Sequence, residues 1–533
     1  MPFDLSHVRF ACCWPAIIAL SLLICCAPKA ARGASGELEI RTVDKESGDL
    51  IATRIQVTTP RGRPLRPSGV PVLADHFVCP GSMRLKLPTG HYTFEIERGP
   101  EYRIRMGQFD IEPGAADSKT FEMIRITEMR KKNWWSGDLH VQRRPDDMEL
   151  LMKAEDLDVA NLVTWSNAEQ PPSISGSLLR QTDDNRFWHQ LGGVDQRKGG
   201  PLRIMGLSQV LPVESTSSEY PSSLYWINGI YASSNNATSD AVEPSADGDD
   251  HPSCIVDAGQ LNARDMPMWV ASNHLDTVCL LDSNLRVGGD NKATIIGQPP
   301  DANLFPPPLG HGLWSQHIYY QLLEAGIRVP PSAASGSGSV PNPVGYNRVY
   351  VFIDGPFSFS AWCDGLRAGR VIVTNGPLLI PTVNDMLPGH VFRGYPNETV
   401  SLDIALTLHT RETIEYLEVI KNGVVHEHVK LDDWAKRGGK LQLVEFQSSG
   451  WLLIRAVTNN QESLRYVTTA PYYVEFPEAP RISRSACQFF LDWVYERAKT
   501  IEISDPQQRT SVWTDHRQAR DFWRSRLQHA NVD

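Results

Sequence analysis

The sequence predicts an α/β protein in which a central strand–helix region lies between two β-rich regions and a helical tail follows. Three observations support this fold class. Apolar and polar residues alternate with period two in residues 36–130 and again in residues 391–475. In residues 131–390, short apolar runs alternate with amphipathic helical segments, which is typical of parallel strands joined by helices. In residues 481–533 apolar residues recur at helical spacing.

The composition of the 533-residue chain is that of a folded, multi-domain protein. Apolar residues make up 41% and charged residues 21%, which is too apolar for a disordered chain. The 52 Lys and Arg residues against 62 Asp and Glu residues give a net charge of −10. A general nucleic-acid binder needs a basic face, so we expect no nucleic acid among the partners.

Residues 1–33 have the pattern of a secretory signal peptide. An apolar run over 14–27 is followed by Ala31 and Gly33, which supply small residues at a cleavage site. The run is shorter than the roughly 20 apolar residues of a spanning helix, and no other segment approaches that length. We therefore expect a secreted or periplasmic protein with no transmembrane segment in the mature chain. A buried N-terminal helix and a lipidated N-terminus are the alternatives.

Residues 36–130 predict a small β-sandwich. The segments 38–43 and 92–96 alternate apolar and polar residues, and turn-forming residues separate such segments. Residues 43–48 (VDKESG) and 88–92 (PTGHY) together resemble the carboxypeptidase-regulatory-like or collagen-adhesin B-type sandwich. That resemblance implies a spacer or a binding surface.

Residues 391–475 predict a second β-sandwich, in which Asn422-Gly423 is a strong hairpin signal. The tail, residues 481–533, carries aromatic residues such as Phe489 and Trp493 among charged ones. The pattern leaves two possibilities open for the tail, which either docks on the rest of the chain or mediates contacts with a partner.

The segment most informative about chemistry is 134–143, WWSGDLHVQR. A strand that ends in His-x-His places both imidazoles on one side, where they can converge on a metal ion. Here the first position is His140, but the second is Gln142, whose neutral amide oxygen is a poor ligand for a transition metal. Half of such a metal motif is therefore missing.

This segment resembles the first motif of the polymerase-and-histidinol-phosphatase (PHP) superfamily, in particular its secreted CehA/McbA-type branch. Residues 268–276, 330–350 and 365–378 are similar to the same branch. The resemblance covers about residues 133–390 and implies that the central domain, 131–390, is a distorted (β/α)7 barrel. It also implies a multinuclear metal site at the C-terminal strand ends, which hydrolyses phosphoester or amide-like bonds.

The chain departs from this family at three ligand positions. Gln142 is the first; residues 164–167 (TWSN) stand where the family has Thr-Asp-His, and residues 335–337 stand near its late Asp. Each metal ion needs about three protein ligands, so His140 alone cannot hold one. We therefore expect a degraded metal centre.

Other residues are candidates for a reduced site that holds one divalent ion, Zn, Mn or Fe. His274 and Asp276 lie two residues apart and would face one way on a strand, and His251 lies in a polar stretch. Together with His140 they are the predicted metal ligands. The alternative is that no metal binds, and that His274 and Asp276 form a hydrogen-bonded pair at the rim of the domain.

A ligand pocket at the predicted strand ends is the second candidate site. Arg348 is suited to hold an anionic group, and with His140 and Asp276 it completes the predicted catalytic set. Three further polar residues are predicted to contact a ligand: Gln142, Asn273 and Asn375. The alternative for Arg348 is a structural ion pair with a carboxylate such as Asp276.

Two functions are compatible with these residues. The first is a secreted PHP-like protein that has lost the complete metal centre and binds a small-molecule or polymer ligand, a sugar or an anion. The second is a metal-dependent hydrolase with a reduced site around His140, in which the metal activates water.

Overall fold

The computed structural model describes residues 34–73, 75–166, 174, 176–211, 218–237, 254–286, 297–477 and 479–533. The predicted signal peptide, residues 1–33, and the predicted metal ligand His251 lie outside the described residues. Strands make up 37% and helices 21% of the structure.

The strands nearest the N-terminus form two sheets around one apolar core. They are β1 (Ser35–Asp44), β2 (Thr53–Thr58), β3 (Phe77–Cys79), β4 (Ser82–Pro88), β5 (Gly90–Glu97), β6 (Arg105–Ile111) and β7 (Ala116–Met123). One sheet has the order β4-β1-β7 and the other the order β3-β2-β5-β6. Along β1, Leu38 and Ile40 are buried whereas Glu37 and Arg41 are exposed, because alternate side chains point to opposite faces.

The central region combines strands with five helices, counted within the described residues. Its elements are β8 (Trp134–Val141), α1 (Met148–Glu155), β9 (Val159–Ser166), β10 (Leu179–Asp183), β11 (Arg186–Asp195), β12 (Leu202–Met205), α2 (Ser223–Ala237), β13 (Ile255–Ala258), α3 (Met266–Ala271), β14 (Thr277–Leu281), α4 (Gly310–Glu324), β15 (Pro331–Ala333), β16 (Arg348–Phe352), α5 (Phe359–Arg367) and β17 (Val371–Thr374). Two 3₁₀ turns, Arg130–Lys132 and Pro145–Asp147, flank β8.

The C-terminal region is β-rich until the last two helices. Its elements are β18 (Leu378–Val383), β19 (Val391–Arg393), β20 (Val400–Leu402), β21 (Ile404–His409), β22 (Ile414–Lys421), β23 (Val424–Val429), α6 (Leu431–Lys436), β24 (Val444–Phe446), β25 (Gly450–Thr458), β26 (Tyr466–Thr469), β27 (Tyr472–Glu475), α7 (Arg484–Ala498) and α8 (Pro506–Gln528). Asn422 and Gly423 connect β22 to β23 with φ angles of 50° and 79°, the positive values that a tight hairpin turn requires.

One mixed sheet of 16 strands runs through the central and C-terminal regions. Its main path is β15-β14-β13-β12-β11-β9-β8-β16-β17-β26-β25-β22-β23. The pairs β8–β9, β9–β11, β13–β14 and β14–β15 are parallel, whereas β11–β12, β12–β13 and β8–β16 are antiparallel. The antiparallel pair β17–β26 joins the two regions, so the strands of 391–475 extend the central sheet.

The predicted α/β fold with a PHP-like (β/α)7 barrel flanked by sandwiches is therefore wrong. The chain has more strand than helix, and the central strands belong to a mixed sheet that continues beyond residue 390. The physical reason is local: the short segment 196–201 joins β11 to β12 as an antiparallel pair, with no crossover helix between them. Apolar periodicity identifies a strand but does not specify its partner or its direction.

The helical tail docks on the central region. Trp523 on α8 is fully buried, and its Nε1 donates a hydrogen bond to the carbonyl of Pro267 at 3.0 Å. Arg497 on α7 forms buried ion pairs with Glu219 and Asp265. Of the two possibilities left open for the tail, the structure shows the docked one.

Among the described helices, none combines the length and the apolar character needed to cross a membrane.

Candidate functional site

The residues predicted to form a site lie in four separate places. His140 is in the interior, Gln142 faces an open surface cleft, and Arg348 and Asn375 line a cleft between regions. Asn273, in the turn after α3, has a positive φ of 60°, which Asn tolerates better than most residues. The structure brings Arg348 and Asn375 together, because β16 pairs with β17 and sets Arg348 opposite Thr374, the residue before Asn375.

His274 and Asp276 both contact Tyr231 on α2. The Tyr231 hydroxyl donates to Asp276 Oδ1 at 3.0 Å, and the Tyr231 ring stacks on the His274 ring with centroids 4.3 Å apart. Arg367 Nε also donates to Asp276 Oδ1 at 3.1 Å, and the backbone N–H of Val256 donates to its Oδ2 at 2.8 Å. These contacts agree with the alternative of a hydrogen-bonded rim, and they assign Asp276 to Arg367 rather than to Arg348.

His140 lies at the end of β8 and is 6% exposed. Neither of its ring nitrogens has a hydrogen-bond partner within the described part of the chain. Burial, together with the positive charge of Arg203, lowers the pKa of His140 to about 3, so the ring is neutral at physiological pH. Nearby Asp138 accepts backbone N–H bonds from His140, Ser335 and Gly345 at 3.0, 3.0 and 2.8 Å. Its carboxylate therefore fixes the backbone around residues 140, 335 and 345.

The side chains around His140 do not fit a divalent metal ion. Over the residues that the structure describes, no three His, Cys, Asp or Glu side chains are placed to hold a metal. The charged group that acts on the imidazole is the guanidinium of Arg203. Its Nη1 donates to Asp257 Oδ2 at 2.8 Å. A divalent ion bound by His140 would meet this fixed positive charge. No chemical step is therefore assigned to a metal here.

Replacing His140 by Phe is expected to preserve or raise stability at pH 7. A buried polar group without hydrogen bonds costs about 1–3 kcal/mol, and an apolar ring of similar shape removes that cost. Because the pKa falls from 6.5 to about 3 on folding, the unfolded chain is protonated first and wild-type stability declines as the pH drops below 6.5. His140→Phe should weaken this decline in urea unfolding at pH 7 and pH 4.5. A loss of more than 2 kcal/mol at pH 7, absent in the exposed control His91→Phe, would contradict it.

A cleft of about 140 Å³ lies where the N-terminal sheets meet the central and C-terminal strands. Charged side chains from all three regions line it: Arg54, Glu95, Glu97, Glu155, Arg348, Arg411 and Arg465. Three of these four arginines are ion-paired. Arg54 binds Glu97 at 2.6 Å and Glu155 at 2.8 Å, Arg411 binds Glu97 at 3.0 Å, and Arg465 binds Glu412 at 3.0 Å.

Arg348 differs from the other arginines of the cleft. It is 1% exposed; its Nε donates to the carbonyl of Gly345 at 2.6 Å and its Nη2 to the carbonyl of Glu155 at 3.2 Å. Among the described residues its Nη1 has no hydrogen-bond partner and no carboxylate pairs with the guanidinium, which also interacts with the Tyr350 hydroxyl. A methyl group added at Gly99 would lie 3.3 Å from Nη1, so a side chain at position 99 would crowd this nitrogen. A buried guanidinium with an unused donor is a favourable position for an anion.

Glu95 is the acidic counterpart of Arg348. It lines the cleft and forms no ion pair with any residue that the structure describes. Burial and the neighbouring Glu97 carboxylate raise the pKa of Glu95 to about 7. Below that pH the Glu95 carboxyl is protonated and donates its hydrogen bond to the neighbouring Glu97 carboxylate.

Both ends of the Asn375 side-chain amide form hydrogen bonds that hold the cleft wall in place. Its Nδ2 donates to the carbonyl of Leu464 at 3.0 Å, and its Oδ1 accepts from the N–H of Tyr466 at 2.8 Å. Its backbone carbonyl accepts from Arg465 Nη2 at 2.9 Å, so Asn375 orients that guanidinium. Gln142 lies in a different, open cleft, beside Arg143.

Sequence reasoning identified none of the six other charged residues of the Arg348 cleft. Four of them, Arg54, Glu95, Arg411 and Arg465, come from β2, β5, the turn after β21 and the segment before β26. Each belongs to an ordinary strand pattern or turn, so the sequence carries no local signal that these positions meet.

No family model matches the chain, and no curated protein matches it. Among solved structures, the TIE protein of Bacillus anthracis is 20% identical over 20% of this chain and 19% of that chain, with a TM-score of 0.14. The pilus-presented adhesin Spy0125 (Cpa) is 13% identical over 18% of this chain and 29% of that chain, also with a TM-score of 0.14. Bacteroides uniformis β-glucuronidase 3 is 12% identical over 83% of this chain and 63% of that chain, with a TM-score of 0.18. The chain spans less than two thirds of each of these proteins, and similarities this low assign neither a fold nor a function.

Proposed function

We propose that the protein binds a small anionic ligand, through a carboxylate or phosphate group, in the cleft lined by Arg348. The observation that carries this proposal is the buried Arg348 guanidinium, whose Nη1 has neither a hydrogen-bond acceptor nor a carboxylate partner in the described part of the chain. An anion that accepts from Nη1 would satisfy the donor and balance the buried charge, both of which are costly to leave uncompensated.

The charge balance of the cleft supports an anion over a cation. Four arginines face three paired glutamates, Glu97, Glu155 and Glu412. Burial beside Glu97 raises the pKa of Glu95 to about 7, so below this pH the set carries one net positive charge, that of Arg348.

The proposal favours the first of the two predicted functions, ligand binding, over metal-dependent hydrolysis. The hydrolase was predicted around His140, where the described residues bring no three metal-binding side chains together; the predicted ligand His251 lies outside those residues. The resemblance to the PHP superfamily and a secreted or periplasmic location stay predictions. They are compatible with a cleft that binds a ligand without a metal.

Arg348→Met is expected to weaken anion binding by at least about tenfold, because hydrogen bonds to charged groups contribute about 1.5–3 kcal/mol. The measurement is isothermal titration calorimetry of a protein comprising residues 34–533, with inorganic phosphate and with acetate. Arg393→Met is the matched control, since Arg393 is 78% exposed and lies on another surface. The proposal fails if the wild type binds neither probe saturably, or if Arg348→Met binds both as well as Arg393→Met does.

A further inference from the structure

We infer that Arg203 is a built-in cation that balances the carboxylates of the buried polar centre beside His140, in place of a bound metal ion. This inference is independent of the anion-binding cleft. It follows from the contacts of one guanidinium in the interior of the mixed sheet.

Arg203 lies on β12 and is 2% exposed. The antiparallel register of β12 and β13 sets Arg203 directly opposite Asp257. Nη1 donates to Asp257 Oδ2 at 2.8 Å, and Nη2 donates to the carbonyl of Gly259. The Cys279 sulfur on β14 interacts with the same guanidinium. The buried charge is therefore held on three sides by neighbouring strands.

Asp257 is fixed as firmly as its partner. It is 1% exposed, and its Oδ1 accepts from the hydroxyls of Thr277 at 2.8 Å and Ser332 at 2.6 Å. Both carboxylate oxygens are thus occupied by residues of β12, β14 and β15. A buried carboxylate needs such a partner, because an uncompensated charge in the interior is strongly destabilising.

The guanidinium also acts on the other potential ligands nearby. Burial, followed by this charge, lowers the pKa of the His140 imidazole. The Asp282 carboxyl pairs with His311 at 2.9 Å, and against burial its pKa is lowered mainly by His311, with Arg203 adding a smaller effect. His, Asp and Cys are the ligand types that zinc prefers. Here the centre has them, but the position of positive charge belongs to Arg203, and electrostatic repulsion disfavours a second cation.

The first test is metal response. The thermal midpoint of the wild type is expected to be the same in EDTA and in Zn²⁺. Arg203→Ala should have a lower midpoint in EDTA and recover part of it in Zn²⁺, because the ion takes the vacated place. With Co²⁺, Arg203→Ala should show a thiolate charge-transfer band that Arg203→Ala/Cys279→Ser lacks. A wild type that binds one equivalent of Zn²⁺ and gains stability from it would overturn the inference.

A second test does not depend on metal uptake and covers the case in which Arg203→Ala does not fold. Arg203→Met keeps most of the side-chain volume but leaves Asp257 unpaired. Adding Asp257→Asn removes that charge, so Arg203→Met/Asp257→Asn should be more stable than Arg203→Met alone. If the double variant is no more stable than the single one, charge balance is not the role of Arg203 and the inference fails.

Discussion

Replacing Asp156 by Asn is expected to destabilise the folded chain by about 3–5 kcal/mol, the usual cost of removing one partner from a buried ion pair. The Asp156 carboxylate is 3% exposed and accepts from four arginines. The distances are 3.2 Å to Arg98, 2.9 Å to Arg125, 3.1 Å to Arg130 and 2.7 Å to Arg186. Among the described residues, no other carboxylate forms ion pairs with four arginines.

The Asn substitution isolates the charge from the shape of the site. Asp156 follows α1 with a φ of 50°, a left-handed conformation that Asn also adopts at little cost. Asn has the same size as Asp, so the variant leaves the backbone and the packing in place. Arg125, Arg130 and Arg186 would keep Glu101, Asp158 and Asp183, whereas Arg98 would keep only carbonyl partners.

This cluster also matters for the anion-binding cleft. Arg98 and Arg125 belong to the N-terminal region and Asp156 to the central one, so the cluster ties the two together. Glu155, the preceding residue, pairs with Arg54 in the cleft wall. Urea unfolding at pH 7 is the measurement for Asp156→Asn. The control is Asp146→Asn, whose side chain is 87% exposed and whose change is expected within about 0.5 kcal/mol. A loss below 1 kcal/mol in Asp156→Asn would show that the four ion pairs do not hold the interface.

The apolar periodicity of the sequence located many strands and helices but did not indicate which strands pair with each other. The strand–helix alternation predicted for residues 131–390 includes α1 and β16, and the hairpin signal at Asn422-Gly423 corresponds to the turn between β22 and β23. The direction of each strand pair depends on contacts far away in the sequence, such as Arg203 with Asp257. That is why the mixed sheet was mistaken for a parallel barrel.

The candidate site was also predictable only in part from the sequence. Arg348 and Asn375 were predicted because both stand at strand ends, and one strand pairing brings them together. Arg411 and Glu95 lie on surfaces whose meeting depends on how three regions pack, so no spacing rule indicates them. Arg203 was not predicted for a different reason: an Arg within an apolar strand gives no sign that it balances a buried carboxylate.

Glu101→Gln is expected to remove the contribution of Glu101 to the pH dependence of stability, which is a loss as the pH rises from 4.5 through 7. Glu101 is 4% exposed; its Oε2 accepts from Arg125 at 3.1 Å and from the N–H of Met129 at 2.9 Å, and its Oε1 accepts from the Tyr350 hydroxyl at 3.1 Å. Burial, followed by the negative charge of Asp156, raises the pKa of Glu101 to about 7.

The sign follows from proton linkage. The folded chain holds the Glu101 proton more tightly than the unfolded chain, in which the pKa is near 4.5. The stabilisation is therefore complete below pH 4.5 and is lost as the pH rises through 7. A shift from 4.5 to about 7 corresponds to about 3 kcal/mol. His140 has the opposite sign in part of this range, so the informative quantity is the difference between the wild type and Glu101→Gln.

Urea unfolding at pH 5 and pH 7.5 measures that difference, with the exposed Glu112→Gln as the control. We expect Glu101→Gln to lose less stability than the wild type between these pH values, and Glu112→Gln to follow the wild type. Equal pH dependence in the wild type and Glu101→Gln would contradict the raised pKa. Because the charge of Asp156 contributes to that pKa, Asp156→Asn should also flatten the pH dependence. The two predictions are thus coupled, because the Asp156 carboxylate pairs with four arginines and its charge, after burial, raises the pKa of the neighbouring Glu101.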